Sequence, residues 1–126
     1  MMKFQMNNNQ IVGSIPDFSG CTNLRTLTLH RNNFTGYTSG AFKKLYRIRY
    51  LDISFNNLSQ SALNTILEDL LANWQAVKRG GVTINLKSQN GNVIPTPFGP
   101  GMDAAKILSN NGWDIGISPG GIQSNL

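Results

Sequence analysis

The chain is 126 residues long, 40% hydrophobic and 13% charged, which suffices for one domain with a modest core and excludes two large ones. A single cysteine, Cys21, and a single histidine, His30, leave no disulfide framework and no zinc set, and no apolar run is long enough for a membrane span or a secretory leader. The net charge of +5 fits an acidic partner without demanding one.

In chain order, the first periodic stretch is Phe4-Gln5-Met6-Asn7-Asn8-Asn9-Gln10-Ile11, a predicted strand and its turn. Residues 13–21, with Gly13, Pro16 and Gly20, are too rich in helix breakers for a helix and suit an extended crossing. Next comes Leu24-Arg25-Thr26-Leu27-Thr28-Leu29-His30-Arg31-Asn32-Asn33-Phe34, then residues 37–45 with a predicted short helical turn over 40–45. The following stretch, Ile48-Arg49-Tyr50-Leu51-Asp52-Ile53-Ser54-Phe55-Asn56-Asn57-Leu58, repeats the earlier one at every apolar position and both asparagines, with the spacing LxxLxLxxNxL. Many of the sixteen asparagines fall in these repeats, and Asn9, Asn32 and Asn56 lie 23 and 24 residues apart. Residues 59–79 then place Leu63, Ile66, Leu67, Leu70, Leu71, Trp74 and Val77 at helical spacing, with Ser59 or Ser61 as cap. Val82-Thr83-Ile84-Asn85-Leu86 is a fourth strand, and Gln89 in the asparagine place suggests a looser turn. After a loop over 88–101 holding Pro95, Pro97 and Pro100, Asp103 is placed to cap a short helix through Asn110, with Gly112 as its stop. Trp113-Asp114-Ile115-Gly116-Ile117 reads as a fifth strand, and residues 119–126 as a flexible tail. Trp74 and Trp113 fall in core frames and are expected buried.

An LxL strand points both apolar residues to one face, and one such coil cannot bury that face alone. Stacked coils can, because each lays its strand beside the previous one in a parallel sheet around a continuous core. The asparagine sits where the chain turns inward, and its amide can donate to and accept from backbone groups of neighbouring coils that would otherwise be buried unpaired.

The pattern resembles leucine-rich repeats of the NxIxGxIP kind, familiar from plant receptors and from bacterial and phage-encoded proteins. The resemblance spans residues 4–118. It implies an α/β solenoid of about five parallel strands with return segments first mostly extended and then helical: a single leucine-rich repeat domain over 1–118, with repeats in 1–58 and a helical C-terminal cap in 59–118. The closing half, in which Ser61-Ala62-Leu63-Asn64-Thr65-Ile66-Leu67 leads into Gly81-Val82-Thr83-Ile84-Asn85-Leu86, a Pro/Asn loop, a short Ala-containing helix and Gly112-Trp113-Asp114-Ile115, is similar to the cap of short repeat proteins carried by phages and environmental bacteria. That kinship implies a structural or tail-associated adhesion protein located in the virion. The alternative is a free cellular, cytoplasmic interaction module.

No constellation carries chemistry. The acids Asp17, Asp52, Glu68, Asp69, Asp103 and Asp114 are mostly far apart in the repeat frame, with Glu68 and Asp69 expected on a solvated helix face. Cys21 and His30 fall on opposite sides of the coil, and neither Gly80-Gly81 nor Gly99-Pro100-Gly101 has the lysine and hydroxyl of a phosphate loop. Neither an enzyme, a cofactor nor a metal site is expected. Lys43, Lys44, Arg47 and Arg49, followed by Lys78 and Arg79, read as a solvated face or an acidic-partner contact, since no nucleic-acid module accompanies them.

A binding surface remains. The residues between the apolar positions face away from the core, and by rung they are Lys3, Gln5 and Asn7; Thr26, Thr28 and His30; Tyr50, Asp52 and Ser54; Thr83, Asn85 and Lys87; Asp114, Gly116 and Ser118. The middle of that face, Thr28, His30, Arg31, Tyr50, Asp52 and Phe55, suits a host-surface protein or glycan, and the exposed ring of Phe55 needs something to cover it. Repeat arrays expose an apolar flank and an unpaired strand edge at an uncapped end. The first strand lies close to Met1, so Phe4, Met6, Ile11 and Ile15 are expected to contact other virion proteins or a second copy of the chain.

Overall fold

The computed structural model describes residues 3–89 and 99–117; the middle of the proline loop, Ser118 and the expected tail lie outside the described residues. The element order is β1 (Lys3–Gln5), β2 (Val12–Ile15), β3 (Thr26–Thr28), β4 (Asn33–Tyr37), β5 (Tyr50–Asp52), α1 (Gln60–Ala76), β6 (Val82–Asn85), α2 (Pro100–Asn110) and β7 (Trp113–Gly116). Alternation of apolar and polar side chains over short stretches makes each strand half-buried, and one coil of chain separates it from the next. Five strands therefore pair in parallel in the order β1-β3-β5-β6-β7. The register aligns Phe4, Leu27, Leu51, Ile84 and Ile115 in one row, and the last four are fully buried. This is the α/β solenoid anticipated from the repeats.

The asparagines close the turns. Asn32 Oδ1 accepts the N–H groups of Asn9 (3.0 Å) and Ile11 (3.1 Å), while its Nδ2 donates to the carbonyls of Met6 (2.7 Å) and Leu29 (3.0 Å). One coil later, Asn56 Oδ1 accepts from Phe34 N–H (3.1 Å) and its Nδ2 donates to the carbonyls of Leu29 and Ile53, both at 3.0 Å. Gln89 does the same for the coil after that: Oε1 accepts from Leu58 N–H (3.1 Å), and Nε2 donates to Ile53 (3.0 Å) and Leu86 (3.2 Å). The longer side chain thus completes its turn, against the expectation of a looser one. Each amide satisfies backbone groups both of its own coil and of the coil before it. The residue ahead of each ladder position takes a left-handed backbone: Asn8 (φ 63°), Arg31 (58°), Phe55 (55°) and Ser88 (59°).

On the return side, β2 and β4 pair in parallel as a second, two-stranded sheet with a register shift between Gly13 and Ser14. The first crossing, expected to be extended, thus begins in a paired strand. Residues 38–45 form successive turns, with Ala41 N–H donating to Thr38, Lys43 N–H to Gly40 and Leu45 N–H to Phe42. Four rings run across these coils: Phe4 meets Phe18 edge-on at 5.2 Å, Phe18 lies 6.4 Å from Phe42, and Phe42 lies 4.9 Å from Tyr37. The Tyr37 hydroxyl ends the series by donating to Asp69 Oδ2 (2.7 Å) and accepting from Phe42 N–H (2.8 Å). Asp69 also accepts from Gly40 N–H at 2.7 Å, so it is an anchor between α1 and the second return and not part of a solvated face.

Ser59, not Ser61, caps α1, accepting from Ala62 N–H at 3.1 Å. Leu63, Ile66, Leu67 and Leu70 are buried. Trp74 is only half-buried, with the Lys78 ammonium 5.4 Å above its ring, because it lies at the margin of the apolar stripe. Trp113 is 2% exposed, and its indole donates to the Arg79 carbonyl at 2.8 Å. At α2 the cap residue is Gly99, with Pro100 next; Asp103 stands in the first turn, where its charge complements the helix dipole, and does not cap. The two helices pack closely: a Cβ built on Gly101 would stand 2.7 Å from Asn64 Cα. Among the described residues no helix is long and apolar enough to cross a membrane.

Two of the basic residues read as a solvated or partner-facing run are structural. Arg79 Nη2 donates to the carbonyls of Leu45 and Ile48, both at 3.3 Å, and its Nη1 to Asn73 Oδ1 at 2.9 Å, while Arg49 Nη1 donates to the Gly80 carbonyl at 2.8 Å. Burial, then the nearby Arg49 charge, lowers the Arg79 pKa below its ordinary value. Lys43, Lys44 and Arg47 remain exposed.

Candidate functional site

The open face of the five-stranded sheet is built by the positions that alternate with the core row. Register places Lys3, Thr26, Tyr50, Thr83 and Asp114 in one line across the strands, and Gln5, Thr28, Asp52, Asn85 and Gly116 in the next. Adjacent members of a line are separated by one strand spacing, about 4.8 Å. Beyond the strand ends, Asn8 N–H donates to the His30 carbonyl, Arg31 N–H to Ser54 and Phe55 N–H to Lys87, so the alignment continues through the turns.

Asp52 organises the middle of the face. Its Oδ1 accepts from the Ser54 N–H (3.0 Å) and hydroxyl (2.6 Å), and its Oδ2 accepts from the Tyr50 hydroxyl at 3.1 Å. His30 Nδ1 stands 3.6 Å from the same Oδ2. Burial, followed by the Asp52 charge, raises the Tyr50 hydroxyl above the ordinary tyrosine range. The consequence is a face less open than the alternation alone suggested. Thr28, Asp52 and Ser54 are buried, and Thr28 Oγ1 and His30 Nδ1 have no hydrogen-bond partner among the described residues. Tyr50 and Phe55, at 37% and 46% exposed, are the large hydrophobic side chains that solvent reaches there.

The ring of Phe55 does have a cover: the Arg31 guanidinium carbon stands 4.2 Å from its centroid. Both residues occupy left-handed backbone positions of successive coils, and this brings their side chains one above the other beside the sheet. Of the six residues singled out from the sequence, Tyr50, Asp52 and His30 therefore meet at one carboxylate, and Arg31 and Phe55 form a stacked pair. Thr28 lies beneath the surface in the Asp52 row.

A shallow depression of about 160 Å³ lies beside Tyr50 and is lined by Thr83, Ile84, Asn85, Lys87, Asp114 and Gly116. Sequence reasoning put these polar residues on the open face but did not count them as a site. The signal that could have marked the place is Gly116: where the other strands carry a side chain it carries none, and the Lys87 side chain lies across it, 2.8 Å from the position a Cβ would take.

The residues expected at the N-terminal contact divide. β1 is the outer strand of the sheet; Met6 is exposed, while Phe4 and Ile11 pack partly against the core. Ile15 is 0% exposed and lies inside the cluster, because its strand, β2, is paired with β4 and turns this side chain inward. Among the described residues no group of acidic, histidine or cysteine side chains could hold a metal ion.

No solved structure matches the chain. The family model described as leucine rich repeat matches residues 1–58 and, overlapping it, 22–71. Those two matches take in more than half of the sequence, including the coils whose buried apolar row and interlocked asparagines are described above, and the chain belongs to the leucine-rich repeat family.

Proposed function

We propose that the chain is a non-enzymatic interaction module that holds a protein partner against the open face of its sheet. Leucine-rich repeats in general bind proteins and do not catalyse, which supplies the coarse part of this reading. The observation that supports the location is the meeting of Tyr50, His30 and Ser54 around Asp52, beside the Arg31–Phe55 stack. Side chains held by one carboxylate lose little freedom on binding, and aromatic and arginine residues carry most of the energy of protein interfaces. Replacing Tyr50 and Phe55 together by Ala should weaken partner binding by about tenfold or more while moving the thermal midpoint little. Binding titrations in which both proteins perform equally would discard this face.

The resemblance of the closing half to phage and environmental-bacterial proteins supports a finer reading, in which the module serves as a structural or adhesion component of a virion and the face meets a host-surface protein or glycan. Mass spectrometry of purified particles tests it. Particles without the chain would leave the free cellular module.

A further inference from the structure

Arg31 is an expensive residue where it stands. A left-handed backbone suits Gly or Asn, and Asn8 fills the equivalent place one coil earlier; Arg31 at φ 58° and Phe55 at φ 55° take it with large side chains. Cation and ring then stack at 4.2 Å. A guanidinium stacked flat on a ring keeps its N–H donors in its own plane, directed away from the ring edge. Arg31 is exposed to solvent.

Lys87 adds a second cation on the same strand-exit margin, where its backbone carbonyl accepts from Phe55 N–H. Asp52, the carboxylate on the strand just before Phe55, is buried and already accepts from Ser54 and Tyr50. Asp114 belongs to the far strand β7 and the opposite line of the face.

We infer that the Arg31–Phe55 stack is the anchor for an acidic peptide segment of the partner, with Arg31 gripping an Asp or Glu carboxylate in the plane of its fork while a neighbouring apolar side chain of the segment lies on the exposed part of the Phe55 ring. The inference rests on the open-face reading and adds the chemistry of what binds there. Arg31 contributes geometry as well as charge: two parallel N–H···O bonds to one carboxylate are available to a guanidinium and not to an ammonium.

An unbiased displayed library of dodecapeptides, selected on the whole protein, tests both layers separately. Binders that are lost on the Tyr50→Ala, Phe55→Ala protein locate binding on the face. The inference then requires three results: enrichment of Asp or Glu next to an apolar residue, affinity falling with added sodium chloride, and a loss of about tenfold or more with Arg31→Gln. Arg31→Lys should recover only part of that loss. Face-dependent binders that are not acidic, or that Arg31→Gln leaves unchanged, overturn the acidic-anchor inference and leave the face standing. A selection without face-dependent binders overturns both. Arg31 is exposed, so its variants should melt with the parent protein, and a thermal scan confirms that any loss is not unfolding.

Discussion

A buried amide that serves four backbone groups is difficult to replace. Asn56 accepts from Phe34 N–H and donates to the carbonyls of Leu29, Ile53 and Ser54. Asn56→Leu keeps the branched shape and removes every hydrogen bond, so the variant should lose about 3 kcal/mol or more, read as a lowered urea midpoint. Tyr37 offers a pH test. Burial, then its bond to Asp69, raises its hydroxyl above the ordinary tyrosine value of about 10. Below that value both folded and unfolded chains hold the proton and the stability is complete. Above it the unfolded chain releases a proton that the folded one keeps, so stability should fall as pH rises, by at most about 1.4 kcal/mol per pH unit from this group. Urea titrations between pH 9 and 11 should show a flatter decline in Tyr37→Phe, which at neutral pH should be less stable by about 1–3 kcal/mol because Phe42 N–H loses its acceptor. The ladder asparagines were legible in the sequence because they recur at a fixed interval. The pairing of Tyr37 with Asp69, 32 positions later, was not, since nothing in local spacing links an acid on a helix to a hydroxyl on another coil.

Elements whose burial pattern is continuous in sequence were read well, and those made by contact between coils were not. The 17-residue helix α1 announces itself by six apolar residues at helical spacing, Leu63 to Trp74, and a serine before them, while Val77, expected in the same stripe, is the extended and exposed residue that ends it. β2, with Val12-Gly13-Ser14-Ile15, and β4, with Asn33-Phe34-Thr35-Gly36-Tyr37, lack the LxL alternation of the main-sheet strands, and they are strands because each finds the other. The same reason moved Ile15 from an expected outer contact into the core. On the open face, alternation correctly separated inward from outward positions, but it could not reveal that Asp52 draws Ser54 and Tyr50 around itself and closes over its own row. Helix contact gives the prediction at this scale. Gly101 touches the backbone of α1, and no side-chain movement relieves a Cβ placed 2.7 Å from Asn64 Cα. Gly101→Ala should therefore cost about 1–3 kcal/mol, visible as a lower thermal midpoint, with far-ultraviolet helix signal retained below the transition.

At the scale of the molecule, a parallel sheet on one side, a two-stranded sheet and two helices on the other, and a row of rings between the early coils act as one stack. Contacts run between neighbours, and stability in such an array propagates from coil to coil. The amides give that propagation a direction. Asn32 holds the turn that contains Asn9 and Ile11, Asn56 holds the one that contains Phe34, and Gln89 holds the one that contains Leu58: every clasp belongs to the later coil and closes on the earlier. During synthesis each turn must wait unfastened until its successor emerges. Removing residues from the C-terminal side should accordingly loosen the coil left last, whereas trimming the first coil leaves the remaining fasteners in place. Hydrogen exchange on chains shortened from either end should show this asymmetry, with amide N–H groups of the newly terminal turn exchanging quickly only when the cut is made downstream.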